Sequence, residues 1–237
     1  MTDNLHSVRF PGETEEVRRA RNELLEAEMD LRRQTESVAA QRRDVPLGGE
    51  VPTDYEFEAR GPSGETEVVR MSELFEDGKD ALVLYSFMFL PDESGNPLGA
   101  ACPACTSIID ALDGQAPHLA QLVNLAVAAR VPIDQFTEHG RTRGWRNVRL
   151  LSAAGNTYNR DYHTETDEQR QRPIATVFVR RDGRIRHFWS SELAFAPSDP
   201  GQNPRHVDFM WPLWNVLDLT PEGRRRDWHP SLSYAAH

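Results

Sequence analysis

The stretch 81–113 constrains the fold of this chain most strongly, because it joins an apolar segment to a cysteine motif that opens a helix. It reads ALVLYSFMFLPDESGNPLGAACPACTSIIDALD, with a loop rich in Gly and Pro between the two parts. The chain contains 2 cysteines, and both, Cys102 and Cys105, lie in this motif. An apolar strand, a loop, a C-x-x-C motif and a helix in this order are typical of a redox dithiol.

The position of the cysteines predicts different roles for them. A side chain in the first helical turn faces unpaired backbone N–H groups and the positive end of the helix dipole. Both favour a thiolate, so we predict that Cys102 is the nucleophile, with a pKa below the usual value of about 8.5. Pro103 suits this turn because the N–H that it lacks would have had no partner. Cys105 lies one turn further on, shielded from solvent, where it can resolve a mixed disulfide. No bound cofactor is expected, since the dithiol is itself the redox centre.

A metal site is the competing interpretation of the motif. Cys102, Cys105 and His118 follow the spacing C-x2-C-x12-H of three zinc-finger ligands. The second histidine, three to five residues later, is missing, and the next one is His139. The sequence therefore favours the redox dithiol, and it leaves a metal site and an inert buried thiol pair as alternatives.

Composition limits the partners and the compartment. The formal net charge of -10 disfavours binding to nucleic acid and to anionic membranes, which both require a basic surface. No apolar run reaches the roughly 18 residues of a membrane span. The first residues, MTDNLHSVRFPGETEEVRRA, lack the apolar core of a signal peptide, so we predict a cytoplasmic protein. In that reducing compartment a C-x-x-C motif is more often catalytic or metal-binding than a structural staple.

Hydrophobic periodicity divides the chain into residues 1–49, an N-terminal helical extension, and residues 50–237, an α/β domain. Within the extension, Val17, Leu24 and Leu31 recur at intervals of seven and predict one amphipathic helix over 13–43. Such a helix packs on its own domain or on a second subunit, so a homodimer is one expectation.

The order of elements in the second part predicts the fold. The run 81–89 is apolar without alternation, as in a strand that is covered on both faces. Helix and strand patterns follow it to about residue 151, and a hairpin over 173–189 and a final helix over 206–220 come next. This order is typical of a thioredoxin-like fold, an α/β architecture with a central mixed sheet flanked by helices.

Four further residues are predicted to contact substrate. In thioredoxin-like proteins a cis-proline at the start of the strand after the motif lets substrate approach the sulfur, and Pro173 occupies that place. Few X–Pro bonds are cis, so the sequence leaves cis and trans open. Trp145, Arg160 and Tyr162 are predicted to line a pocket beside the dithiol, where Arg160 would favour the thiolate. A salt bridge between Arg160 and Asp161 is the equal alternative.

Several segments together resemble one family. They are 85–89, 102–105 with Asp110, 118–119, 144–145, 158–162, 187–190, and 217–218 with 221–224. The stretch from about residue 77 to residue 224 resembles the thioredoxin-like bacterial family of predicted dithiol-disulfide oxidoreductases, domain of unknown function eight-nine-nine. The resemblance implies that Cys102 and Cys105 carry the chemistry. This sequence departs from the family pattern in the long polar loop 91–101, and in the run 187–191, where a His-Thr-Tyr-Ser type of run is expected.

The sequence thus predicts a thiol-disulfide oxidoreductase that acts on a protein or small-molecule disulfide or peroxide and is regenerated by an external thiol reductant. Three alternatives remain: a thiol peroxidase of peroxiredoxin-like type, a non-catalytic thioredoxin-like binding module, and a metal site at Cys102 and Cys105.

Overall fold

The computed structural model describes residues 5–166, 170–225 and 227–234. The chain divides into two compact units, Met1–Pro46 and Leu47–His237. None of the helices in the described ranges is long and apolar enough to cross a membrane.

The first unit contains one long helix, α1 (Glu15–Asp44), close to the predicted range. The hydroxyl of Thr14 caps it by accepting a hydrogen bond from the N–H of Val17 at 3.3 Å. Acidic residues in the first turn and basic residues in the last turn complement the helix dipole. The predicted stripe residues Leu24 and Leu31 are exposed. Packing of this helix on a second subunit stays a prediction.

The second unit is built on strands and shorter helices. The strands are β1 (Glu56–Arg60), β2 (Thr66–Arg70), β3 (Ala81–Phe87), β4 (Phe89–Leu90), β5 (Ala100–Ala101), β6 (Asn124–Ala129), β7 (Arg149–Ser152), β8 (Ala175–Arg181) and β9 (Arg184–Ser190). The helices are α2 (Pro103–Leu119), α3 (Ile133–Arg143), α4 (Tyr158–Asp161) and α5 (Pro212–Leu217).

The strands form a 7-stranded mixed sheet in the order β2-β1-β7-β6-β3-β8-β9, while β4 and β5 pair separately. Strand β3 is parallel to β6 and antiparallel to β8, and β8 and β9 form an antiparallel hairpin. Helix α2 connects β3 to β6 through the intervening chain, as parallel neighbours require. This is the thioredoxin-like fold that the element order predicted.

Each face of the sheet has its own core cluster, because successive side chains of a strand point to opposite sides. On β3, Tyr85 and Phe87 belong to the cluster that includes both cysteines. Leu82 and Leu84 belong to the other cluster. The prediction that this strand is covered on both faces is confirmed.

The C-terminal helix is shorter than predicted. Instead of a helix over 206–220, a 3-10 turn at Asp208–Met210 precedes α5. The reason is Pro212, which has no N–H to continue an earlier helix and whose ring favours the first helical position. The segment between β7 and β8 contains the short α4.

Candidate active site

Cys102 is the N-cap residue of α2, with Pro103 as the first helical residue, as predicted. Its N–H donates a hydrogen bond to the carbonyl of Met88 at 3.1 Å. Its carbonyl accepts from the N–H of Thr106 and from the Thr106 hydroxyl, both at 2.9 Å. The backbone of Cys102 is therefore fixed between the end of β3 and the first turn of α2.

The surroundings of the two thiols shift their pKa values in opposite directions. The S–H of Cys105 donates to Cys102 and lowers the pKa of that thiol to about 7; burial opposes this shift, and the N–H groups of Cys105 and Ala104 add to it. Burial raises the pKa of Cys105 well above its ordinary value, and the hydrogen bond from its S–H to Cys102 raises this pKa further. Near neutral pH this arrangement favours a thiolate on Cys102 and a thiol on Cys105.

Both sulfur-bearing residues are shielded from solvent. Cys102 is 4% exposed and Cys105 is 0% exposed, and both are free thiols rather than a disulfide. A reagent that reaches Cys102 in this conformation must be small, or the surrounding segments must open.

Aromatic rings pack beside the dithiol, and Trp145 is among them. The Trp145 ring lies 5.9 Å from the Phe87 ring and 5.2 Å from the His139 ring. The Thr106 hydroxyl uses its hydrogen to donate to the backbone carbonyl of Cys102. The hydroxyl oxygen therefore accepts from Nε2–H of His139, 3.0 Å away. Burial lowers the pKa of His139, and the Arg143 charge lowers it further. His139 is thus linked through one hydroxyl to the backbone carbonyl of Cys102, a contact that no sequence pattern predicts.

Pro173 lies next to the end of β3 from which the chain runs to Cys102. Ala175 pairs with Tyr85, and the carbonyl of Ile174 accepts from the N–H of Ser86 at 2.8 Å. The carbonyl of Pro173 accepts from Nε2–H of His206 at 3.0 Å. The peptide bond before Pro173 is trans, which settles the choice that the sequence left open. Its contact with substrate stays a prediction.

The structure does not bring Arg160 and Tyr162 to the dithiol. The Tyr162 ring contacts Phe178 at 4.8 Å and belongs to the cluster on the opposite face of the sheet. Arg160 is exposed, and its Nε lies 4.0 Å from Asp161. The residues predicted to form one pocket are thus separated. The reason is that α4, which carries Arg160, packs Tyr158 into the cluster on that other face. A loop sequence does not reveal which face it covers.

The geometry also separates the three residues that follow the zinc-finger spacing. Cys102 and His118 lie at opposite ends of α2, which at 1.5 Å per residue places them about 24 Å apart. Within residues 5–166, 170–225 and 227–234, no three His, Cys, Asp or Glu side chains gather as metal ligands.

The two acids that follow the cysteines on α2 have partners of their own. Asp110 pairs with Arg143 and accepts from Nε1–H of Trp145 at 2.8 Å. Asp113 accepts from the N–H groups of the loop that leads into β7.

A dithiol at the start of a helix, on a thioredoxin-like sheet, defines the class: a thioredoxin-like protein with a C-x-x-C motif. The model of the family described as bacterial protein of unknown function (DUF899) matches residues 7–237, and the chain belongs to that family. Among curated proteins, none matches this sequence.

Solved structures show distant likenesses. The peroxidoxin BcpB from Mycobacterium tuberculosis is 18% identical, with 73% of this chain and 98% of that chain covered and a TM-score of 0.43. Plasmodium yoelii thioredoxin peroxidase I is 16% identical, with 78% and 100% covered and a TM-score of 0.44. An uncharacterized conserved protein from Geobacillus kaustophilus is 12% identical, with 67% and 75% covered and a TM-score of 0.43.

Proposed function

We propose that this protein is a thiol-disulfide oxidoreductase in which Cys102 attacks the substrate and Cys105 resolves the product. The observation that carries the proposal is the placement of two free thiols at the start of α2, with Cys102 at the N-cap and the fully buried Cys105 one turn further on. The surroundings agree with it, because they lower the pKa of Cys102 to about 7 and raise that of Cys105. In a dithiol of this kind, one cysteine is a thiolate near neutral pH and the other stays a protonated thiol until the resolving step.

The proposed cycle balances with thiols and disulfides alone. The Cys102 thiolate attacks a disulfide, forms a mixed disulfide and releases one substrate thiolate. Cys105 then gives its proton to the first released substrate thiolate, directly or through water, and attacks Cys102 Sγ, which expels the second substrate sulfur as a thiolate and leaves a disulfide between Cys102 and Cys105. Two equivalents of an external thiol return the pair to the reduced state. The substrate is a protein or small-molecule disulfide.

The alkylation rate of the thiols is expected to separate them by pH. Iodoacetamide reacts with thiolates, so modification of Cys102 should reach half its maximal rate at about pH 7, following its pKa. Cys105 should react only at much higher pH, because burial raises its pKa. Peptide mass spectrometry after timed quenching assigns each adduct to its cysteine.

The pH of half-maximal rate is the quantity to compare, since burial slows the absolute rate of both thiols. The Cys105→Ala variant provides the control, because Cys102 then loses the side-chain donor that lowers its pKa most, and its midpoint should move up. Equal pH profiles for both cysteines in the native protein would contradict the proposal.

A thiol peroxidase is the second candidate, and the burial of Cys102 favours it. A residue that is 4% exposed admits a hydroperoxide more readily than a protein disulfide. In that reaction the Cys102 thiolate attacks one peroxide oxygen, the O–O bond breaks, and the other oxygen leaves as water or an alcohol, so that Cys102 becomes a sulfenic acid. Cys105 then condenses with the sulfenic acid to give the same disulfide and a second molecule, water. Loss of hydrogen peroxide coupled to thiol oxidation, faster than the reaction with glutathione disulfide, would favour this candidate.

A further inference from the structure

Tyr85 contacts Cys105 of the dithiol from β3, an interior strand of the sheet. Its neighbours across the strands are Val127 on β6 and Ala175 on β8, which belong to the same core cluster as the cysteines. The side chain is 0% exposed, and its hydroxyl donates a hydrogen bond to Cys105 Sγ at 3.3 Å. Burial raises the pKa of Tyr85 well above its ordinary value, so the hydroxyl keeps its proton and remains a donor.

A thiolate on Cys105 is needed only in the second half of the reaction. In the resting dithiol, the S–H of Cys105 donates to Cys102. Once Cys102 is bonded to a substrate sulfur, that acceptor is lost, and Cys105 must release its proton in a fully buried place. Burial raises the pKa of Cys105, whereas the Tyr85 hydroxyl and the N–H of Met88 lower it.

We propose that Tyr85 is a positioning residue for the resolving step, in which its hydroxyl orients Cys105 and stabilises it as the attacking thiolate. This inference rests on the proposed function. In the step, Cys105 Sγ bonds to Cys102 Sγ, the bond from Cys102 to the substrate sulfur breaks, and the substrate leaves as a thiolate. When an external thiolate later attacks Cys102 of the disulfide, Cys105 is the leaving thiolate that the same hydroxyl stabilises.

Replacing Tyr85 by phenylalanine leaves the other titratable groups near the dithiol in the protein. One of them is Cys102, the N-cap residue of α2. His139 on α3 reaches Thr106, and His206 in the C-terminal segment reaches Pro173. Burial lowers the pKa of both histidines, so they are neutral above neutral pH. A pH profile compared between native and variant protein therefore reports on Cys105.

The test uses Tyr85→Phe, which removes the hydroxyl and keeps the ring. Reduced protein is mixed with a small excess of 2,2′-dipyridyl disulfide, and release of thiopyridone is followed in time. The first phase is the attack by Cys102, and the second phase, independent of reagent concentration, is resolution by Cys105. The first phase should change by less than about twofold. The second should slow by about 3- to 15-fold near neutral pH, because loss of the hydroxyl raises the pKa of Cys105, and the greater nucleophilicity of the rarer thiolate offsets only part of that effect. The difference should shrink at high pH.

Tyr158→Phe is the matched control, since Tyr158 is equally buried but belongs to the cluster on the opposite face of the sheet. Both phases should match the native protein in this variant. A second measurement uses Cys102→Ala, where Cys105 is the remaining thiol of the chain. In that background, Tyr85→Phe should raise the pKa of Cys105, measured by the ultraviolet absorbance of the thiolate.

The outcomes separate this inference from the proposed function. One outcome would overturn the role of Tyr85 alone. The native protein would show two phases, but Tyr85→Phe would leave the second phase unchanged at every pH and the pKa of Cys105 unchanged. A native protein that releases no second equivalent by an intramolecular step would overturn both, because Cys105 would then not resolve.

Discussion

Replacing Cys102 by serine is expected to reduce thiol-disulfide turnover by about a thousandfold or more, while the protein stays folded. A serine hydroxyl is not ionised near neutral pH and cannot form a disulfide, so the first attack is lost rather than slowed. The backbone contacts of Cys102 with Met88 and Thr106 do not involve the sulfur, so the first turn of α2 should persist. Turnover is measured with glutathione disulfide and an excess of a reducing thiol, and folding is measured by thermal unfolding.

Cys105→Ser is the matched variant, with the same atom changed one helical turn away. Here the first attack survives, so the mixed disulfide between Cys102 and substrate should accumulate and be visible by mass. A Cys102→Ser protein that retains more than a tenth of the native turnover would contradict the assignment of the nucleophile, and so would equal accumulation of mixed disulfide in both variants.

Replacing Asp113 by alanine is expected to lower the free energy of unfolding by about 2–4 kcal/mol, the largest effect on stability among the residues of the site region. The carboxylate accepts from the N–H groups of Arg146, Asn147 and Val148 at 3.0, 2.8 and 3.0 Å. Asp113 is 8% exposed, so its removal leaves donors without partners in a largely dry place. Urea unfolding of the reduced protein measures the change.

The contribution of Asp113 to stability should shrink in acid. Burial raises the pKa of this carboxyl, but the N–H groups of Asn147, Val148 and Arg146 lower it by more, so it lies below its ordinary value in the folded protein. A group with a lowered folded pKa stabilises fully above the unfolded pKa of about 3.9 and loses that effect as the pH falls below it. The difference in stability between the native protein and Asp113→Ala should therefore narrow as the pH falls below about 4. Asp77→Ala, at an exposed position, is the control, and a constant difference at every pH would contradict this origin.

The sequence was sufficient to predict the position of the dithiol and the fold around it, because both follow from the order of residues within short segments and of elements along the chain. The spacing of Cys102 and Cys105 and the proline between them determine how the motif enters a helix. The apolar run before them, without alternation, predicted a central strand, and the order of elements predicted the sheet. These features require no knowledge of which distant residues meet.

Contacts between elements could not be predicted in this way. Tyr162 was expected beside the dithiol, but the structure packs it on the other face, because a loop sequence carries no period that assigns it to a side. Tyr85 on β3 donates a hydrogen bond to Cys105, and His139 on α3 is linked through Thr106 to the carbonyl of Cys102. No spacing in the sequence encodes those distances, so neither residue was singled out.

The most direct test of the central claim is the equilibrium between the Cys102–Cys105 disulfide and the dithiol. The protein is incubated in buffers of reduced and oxidised dithiothreitol or glutathione, quenched with acid and alkylated, and the linked peptide is quantified by mass spectrometry. We expect one reversible two-electron transition, with a tenfold change in ratio per about 30 mV, at a potential between those of thioredoxin, about -270 mV, and DsbA, about -120 mV. Failure to form this intramolecular disulfide at any potential, with both thiols still reactive in the unfolded chain, would contradict it.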